Sequence, residues 1–166
     1  MSVFNYEKDT DGIVTITMDM TGPVNSMNDE FLPALSAAVE RLTQESGLIG
    51  VIFASAKKTF FAGGNLHSLL AAEPGMEQKF FEGIEAVKRE FRTLELMPVP
   101  IVAAINGAAL GGGGGGFARG IWTHRGARSK PPRTTALARL TRSCAALTRP
   151  QSQHRPCSQT SSSCGP

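Results

Sequence analysis

The chain has 166 residues and a formal net charge of +3, which is enough length for one domain of ordinary size. That average hides two unlike regions, because all 14 acidic residues lie between Glu7 and Glu95. Residues 1–116 carry a charge balance of −6, and residues 117–166 carry +9. The N-terminus lacks the pattern of a signal peptide, and residues 96–118 hold too many prolines and glycines for a membrane-spanning helix. A body without cysteine further indicates a cytoplasmic protein.

The first predicted elements are a strand and a helix. Residues 13–20 alternate between apolar and polar side chains, which predicts a half-buried strand. A loop containing Gly22 and Pro23 follows. Residues 29–44 then carry apolar side chains at helical spacing, with Asn28 or Asp29 available as the N-cap. Pro33 must fall in about the first turn of that helix, where proline costs little.

The following elements alternate in the same way. Residues 48–55 form a continuous apolar run, typical of a parallel strand covered on both faces. A glycine turn and a short helix come next, and residues 76–97 give the best helical pattern in the chain. Its apolar stripe consists of Phe80, Ile84, Val87, Phe91 and Leu94. Residues 98–107 predict another covered strand, so the order favours an α/β fold with parallel pairing.

Each covered strand ends in a glycine turn, "FFAGGN" after the first and "INGAALGGG" after the second. Ligands of open α/β folds bind beyond the carboxyl ends of strands. Two such turns lying side by side can each offer a backbone N–H to one oxygen, which is the geometry of an oxyanion hole. The alternative for either turn alone is a tight connection without a ligand.

These motifs carry a resemblance to a known family. "TFFAGGNL", followed about forty residues later by "PVPIVAAINGAALGGG", resembles the crotonase, or enoyl-CoA hydratase/isomerase, superfamily. "TGPVNSMN" and the helix after it are similar to the family's first loop and helix. The similarity covers roughly residues 3–113 and extends to the N-terminal hydratase module of bacterial bifunctional fatty-oxidation proteins, which also contain a 3-hydroxyacyl-CoA dehydrogenase.

The resemblance implies an incomplete, N-terminal part of a crotonase-like β/α spiral fold that binds an acyl-CoA thioester. It implies no separate cofactor and no metal, and an oligomer in the parent family but not in this fragment. The parent reaction is the addition of water to a trans-2-enoyl-CoA in fatty acid β-oxidation.

The family's site residues transfer by position. The donors of the oxyanion hole are the backbone N–H groups of Gly64 and Gly112. The resemblance places the substrate along Asn25, Ser26, Ala62, Gly64, Asn65, Leu66 and His67. The family usually has Asp where this chain has Asn65, and the pattern assigns His67 to the first turn of a helix rather than to catalysis.

The two glutamates that handle protons in the hydratases have no counterpart. The first would stand at Gly115 or at Ala118, depending on how the six glycines are aligned, and no acid follows Glu95. We therefore predict that this chain lacks turnover. A remnant that binds acyl-CoA without converting it is the alternative function that these residues allow.

The region after Phe117 has a different composition. We predict a partial crotonase-like domain over residues 1–117 and a disordered, basic, low-complexity tail over 118–166. Its Arg, Pro, Ser and Thr content suggests an out-of-frame reading, with an alternative tail as the other hypothesis. Nucleic-acid binding through the +9 charge is disfavoured because no binding motif is present. His154 and Cys157 alone do not make a metal site.

Overall fold

The computed structural model describes residues 3–64, 70, 73–111, 140 and 147. The described part contains four strands, β1 (Phe4–Lys8), β2 (Ile13–Met18), β3 (Gly50–Ser55) and β4 (Ile101–Ala103). They form one sheet in the order β1-β2-β3-β4. Two helices, α1 (Phe31–Gln44) and α2 (Glu77–Leu96), connect the parallel strands. The predicted α/β class is confirmed.

The pairing of the sheet is mixed. β2 pairs in parallel with β3, and β3 pairs in parallel with β4, as the alternation of strands and helices predicts. β1 lies antiparallel to β2, with Phe4 opposite Met18. Sequence patterning missed β1 because it is an edge strand whose only fully buried side chain is Phe4.

The last described strand is shorter than the predicted span 98–107. Pro98 and Pro100 cannot donate a hydrogen bond to a ladder, although the Pro100 carbonyl accepts from the Val51 N–H at 3.0 Å. Regular pairing ends at Ala103. Just beyond it, the Asn106 side chain donates to the backbone of the loop that follows β3. Proline at one end and a side-chain contact at the other thus bound β4.

The start of α1 differs from the prediction. The helix begins at Phe31 with Glu30 as N-cap, and no side chain caps it. Asn28 lies two residues before the N-cap, where its side-chain oxygen accepts from the Glu30 N–H at 3.1 Å and its carbonyl accepts from the Phe31 N–H at 3.1 Å. The assignment of Asn28 or Asp29 as N-cap is therefore wrong. Pro33 lies in the first turn, as predicted.

The main core lies between one face of the sheet and α1. Phe31, at the start of the helix, contacts the Phe4 ring edge-on at 6.0 Å between centroids and the Phe61 ring at 5.1 Å. All three rings are at most 5% exposed. Each such burial stabilises the fold by roughly 1.5–3 kcal/mol. The pair of contacts joins the edge strand, the helix start and the first glycine turn.

The predicted apolar stripe of α2 is only partly buried. Leu94 is 2% exposed, whereas Phe80 is 50% and Ile84 is 41% exposed. The C-terminal half of α2 packs on α1, where the Ser36 hydroxyl donates to Glu90 at 2.7 Å. None of the described residues covers the first two turns of the helix stripe, so α2 presents apolar side chains beyond the core.

The second face of the sheet carries a separate apolar cluster. It contains Ile13, Ile52, Ala54, Ala104 and Leu140, all at most 4% exposed. Leu140 is fully buried there, at one position of the tail over 118–166 that is predicted to be mostly disordered. The other residues of that region, apart from Leu147, lie outside the described part, and for them disorder stays a prediction.

Candidate functional site

The two glycine turns lie side by side at the carboxyl ends of β3 and β4. The Phe60 N–H donates to the Ala108 carbonyl at 2.9 Å, and the Leu110 N–H donates to the Phe61 carbonyl at 2.9 Å. Phe61 and Ala109 form a parallel bridge. These bonds continue the parallel pairing of β3 and β4 past the sheet, so the two turns form one unit.

Glycine is required where the two turns touch. Gly63 has φ +84°, and a Cβ built there would lie 2.9 Å from the Leu110 carbonyl oxygen. A Cβ on Gly107 would lie within overlap distance of the Lys58 carbonyl oxygen. Gly111 has φ +54°, and its Cβ would lie 3.7 Å from the Cα of Gly63. These glycines allow the close approach of the backbones that the sequence predicted.

Neither Gly63 nor Gly107 is predicted from the sequence to have a role. In each case the neighbouring residue in the sequence could have indicated the glycine's role in a turn. Gly63 precedes the predicted donor Gly64, and Gly107 follows Asn106 in an Asn-Gly pair that is typical of turns.

Gly64 lies on the open side of its turn. It forms a parallel bridge with Met27, whose N–H donates to the Gly63 carbonyl at 2.8 Å. A Cβ on Gly64 would meet no atom within 4 Å, and the residue is exposed. No hydrogen bond between described residues uses the Gly64 N–H. A backbone donor that no described residue uses is available to a carbonyl ligand.

Asn25 lies beneath these turns, completely buried. Its side-chain nitrogen donates to the Ser55 hydroxyl at 2.9 Å and lies 3.3 Å from the carbonyl oxygens of Met18 and Phe60. Its side-chain oxygen accepts from the Met20 N–H at 3.1 Å. The structure therefore gives Asn25 a supporting position that joins the ends of β2 and β3 to the first glycine turn.

The remaining described residues of the predicted substrate path surround Asn25. The Ala62 N–H donates to the Asn25 carbonyl at 2.8 Å, and the Ser26 carbonyl accepts from the Asn28 N–H at 2.9 Å. Ala62 and Ser26 are both partly exposed. Gly112 and the segment 65–67 (Asn65, Leu66 and His67) lie outside the described residues, so their roles stay predictions.

Ser55 and Asn106 complete the support, and neither was predicted from the sequence. The Ser55 hydroxyl donates to the Thr59 carbonyl at 2.8 Å and accepts from the Lys57 N–H at 3.0 Å. The Asn106 side chain donates to the Lys57 carbonyl at 2.8 Å and to the Ser55 carbonyl at 3.2 Å. Single Ser and Asn residues in loops carry no distinguishing pattern, so only the three-dimensional contacts reveal them.

The turns themselves hold no proton-transfer group. Residues 55–64 and 96–111 contain no Asp, Glu or His. The charged pair at this edge is Lys57 with Asp19, whose side chains lie 2.5 Å apart. Within the described part of the chain, no three potential metal ligands come together. The chemistry available at the described turns is hydrogen bonding from the backbone.

A model of the enoyl-CoA hydratase/isomerase family matches residues 8–118. The fatty acid oxidation complex subunit alpha of Shewanella halifaxensis is 38% identical over 112 residues, which is 66% of this chain and 16% of the relative. The same subunit of Shewanella oneidensis is 36% identical with the same coverage. The chain thus spans about a sixth of the length of these relatives.

The fold is similar to that of solved enoyl-CoA hydratase structures. The enoyl-CoA hydratase of Bacillus halodurans has a TM-score of 0.63 at 25% identity, covering 69% of this chain and 46% of that one. The enoyl-CoA hydratase of Bacillus anthracis has a TM-score of 0.62 at 23% identity, covering 72% and 45%. The fold and the paired turns define a crotonase-type chain. Together with the family match, they show that this chain belongs to the enoyl-CoA hydratase/isomerase family.

No helix among the described residues is both long and apolar enough to cross a membrane.

Proposed function

We propose that this chain binds an acyl-CoA thioester at the paired glycine turns and polarises its carbonyl without hydrating it. The observation that carries the proposal is Gly64, an exposed residue whose N–H no described residue uses, at the edge of a turn that is hydrogen-bonded to the 107–111 turn. Gly112 follows Gly111 directly, and we assign the second donor to its N–H. Two converging donors stabilise the negative charge that develops on a thioester oxygen.

The rest of the substrate follows the first turn in this proposal. Ala62, Asn65, Leu66 and His67 lie along the coenzyme A moiety, with Ser26 near its pantetheine or adenine part. Asn25 acts from below by fixing the turn. The coenzyme A belongs to the substrate, so no separate cofactor takes part, and the protein acts in the cytoplasm on a fatty-oxidation substrate.

The absence of turnover follows from the sequence. No acid exists after Glu95, and Gly115 and Ala118 stand where the family places its first glutamate. General acid–base groups each supply about 10²–10⁴ in rate. We therefore propose a domain over residues 1–117 that retains binding and polarisation, followed by a tail over 118–166 that adds no catalytic group.

The test of polarisation is spectroscopic. The absorption of cinnamoyl-CoA shifts to longer wavelength when its carbonyl oxygen accepts strong hydrogen bonds. We expect a red shift on addition of the protein and its loss in Gly64→Pro, which removes the N–H. Gly64→Ala keeps the N–H and fills open space, so it should retain most of the shift unless the methyl group meets the ligand.

Gly83→Ala is the matched control, because a Cβ there also meets no atom within 4 Å and lies on α2, away from the turns. A red shift of equal size in Gly64→Pro and in the unchanged chain would contradict the role of Gly64.

The test of turnover uses crotonyl-CoA. We expect no loss of the enoyl-thioester absorbance beyond the uncatalysed rate. Hydration at the rate of an intact hydratase, reduced in Gly112→Pro, would show that another group replaces the glutamates and would overturn this part of the proposal.

A further inference from the structure

The second face of the sheet, opposite α1, is buried by a residue from far along the chain. Ile52 is fully buried, and Ile13, Ala54 and Ala104 are at most 4% exposed. The described residues between positions 3 and 111 place no helix on this side, because α1 and the C-terminal half of α2 pack on the main core. Leu140 belongs to this second cluster.

Leu140 fits a specific notch. A Cβ on Gly50 would lie 2.8 Å from one methyl carbon of Leu140 and 3.1 Å from the other. Gly50 begins β3 and pairs with Ile13, which also lines the notch. The missing side chain at Gly50 therefore makes the space that the Leu140 side chain fills, and Leu140 is 0% exposed.

The sequence around Leu140 has the pattern of a helix with one apolar side. Leu137, Leu140, Cys144 and Leu147 recur at spacings of three and four, between Pro132 and Pro150. Leu140 and Leu147 are both helical residues, but Leu147 is 42% exposed. Arg139 and Arg142 flank the buried leucine in sequence.

We propose that the segment around Leu140 covers the second face of the sheet within the same chain, with Leu140 as its anchor in the Gly50 notch. The segment around Leu140 is thereby a structural part of the domain, within a tail whose other residues are predicted to be disordered. The net charges of the two regions favour the same contact, because residues 117–166 carry +9 and residues 1–116 carry −6. The cover also hides an apolar surface that would otherwise promote association.

The experiment compares Leu140→Asp with Leu147→Asp in the full chain, because the two leucines share residue type, helical state and segment but differ in burial. Limited trypsin digestion reports on cleavage after Arg142, because the change at position 140 alters the residue that directly follows Arg139 and so affects cleavage there by itself. We expect Leu140→Asp to accelerate that cleavage about tenfold or more, and Leu147→Asp to change it less than about twofold.

If Leu140→Asp does not fold, the milder substitutions Leu140→Ala and Leu147→Ala are compared instead. Amide exchange of Gly50–Ser55 should then accelerate in Leu140→Ala only. Equal effects of the two positions in both assays would overturn the proposal. So would a dimer of the unchanged chain that Leu140→Asp converts to monomer, because Leu140 would then seat on a second copy.

Discussion

Tyr6 is held in a polar contact at the edge of the main core. Its hydroxyl donates to Glu45 at 2.9 Å, and the Arg41 guanidinium lies 3.8 Å from its ring centroid. Burial, followed by the hydrogen bond to Glu45 and the charge of Glu45, raises the pKa of Tyr6 to about 12. Tyr6 is the chain's single tyrosine, so its ionisation can be followed by absorbance without overlap.

We predict a tyrosinate transition near pH 12 in the folded protein, compared with 10.0 for a free tyrosine. Because the folded pKa is the higher one, the stabilisation linked to neutral Tyr6 is complete below pH 10 and is lost as pH rises through 12. Glu45→Gln should lower this pKa part of the way, since burial remains. A transition at the ordinary value in the folded chain would contradict the contact.

Glu45 titrates in the opposite sense. The hydrogen bond from Lys8, with that from Tyr6, lowers the pKa of Glu45 below 4.5. Its contribution to stability is therefore present above the ordinary pKa and is lost as pH falls through the lowered one. Urea midpoints measured from pH 7 to pH 3 should fall more steeply for the unchanged chain than for Glu45→Gln. Parallel curves would show that this contact contributes nothing to stability.

Asn25→Asp tests the support beneath the turns. The change keeps the shape but replaces the amide donor with an acceptor that faces the Ser55 hydroxyl and two carbonyl oxygens. We expect a loss of about 3 kcal/mol in the free energy of unfolding. Ser26→Ala, next in sequence and partly exposed, should cost less than about 0.5 kcal/mol. Equal losses in denaturant unfolding would contradict the supporting role of Asn25.

At the scale of elements, the helices show what periodicity can predict. It predicted α2 almost to the residue, because the pattern of a helix is local. The pattern places Phe80, Ile84 and Leu94 on one stripe but does not say which of them is buried, since burial requires a neighbour: Leu94 is 2% exposed, whereas Phe80 is 50% and Ile84 is 41% exposed. The predicted cap of α1 was wrong because the Asn28 side chain bonds to the N–H of Glu30, the N-cap residue itself, and not to an N–H of the first helical turn.

The exposed stripe of α2 predicts poor solubility. Phe80→Gln with Ile84→Gln should reduce aggregation, measured by light scattering on warming, at a stability cost below about 1 kcal/mol. Leu94→Ala, on the buried end of the same stripe, should cost about 2–5 kcal/mol instead. A soluble monomer with a sharp, reversible thermal transition in the unchanged chain would show that this surface does not drive association.

At the scale of the whole molecule, sequence motifs predicted the parallel order of the central strands and the pairing of the two glycine turns. They did not predict β1, because five residues with one buried side chain give no pattern. Nor did they predict that Leu140 packs against Gly50, because a glycine at the start of a strand only weakens the strand pattern and indicates no contact. The support of the turns by Asn25, Ser55 and Asn106 depends on contacts between segments that lie far apart in sequence.

The parallel pairing of β2, β3 and β4 has a consequence for how the chain acquires its structure on the ribosome. The antiparallel pair β1–β2 can form as soon as residue 18 has emerged, because its partners are neighbours along the chain. β3 then pairs with β2 only after α1 has been made, and β4 pairs with β3 only after α2. Until residue 140 emerges, the apolar side chains of Ile13 and Ile52 lack their contact with Leu140. The nascent chain is therefore most in need of a chaperone during synthesis of the glycine-rich stretch and the basic segment after it.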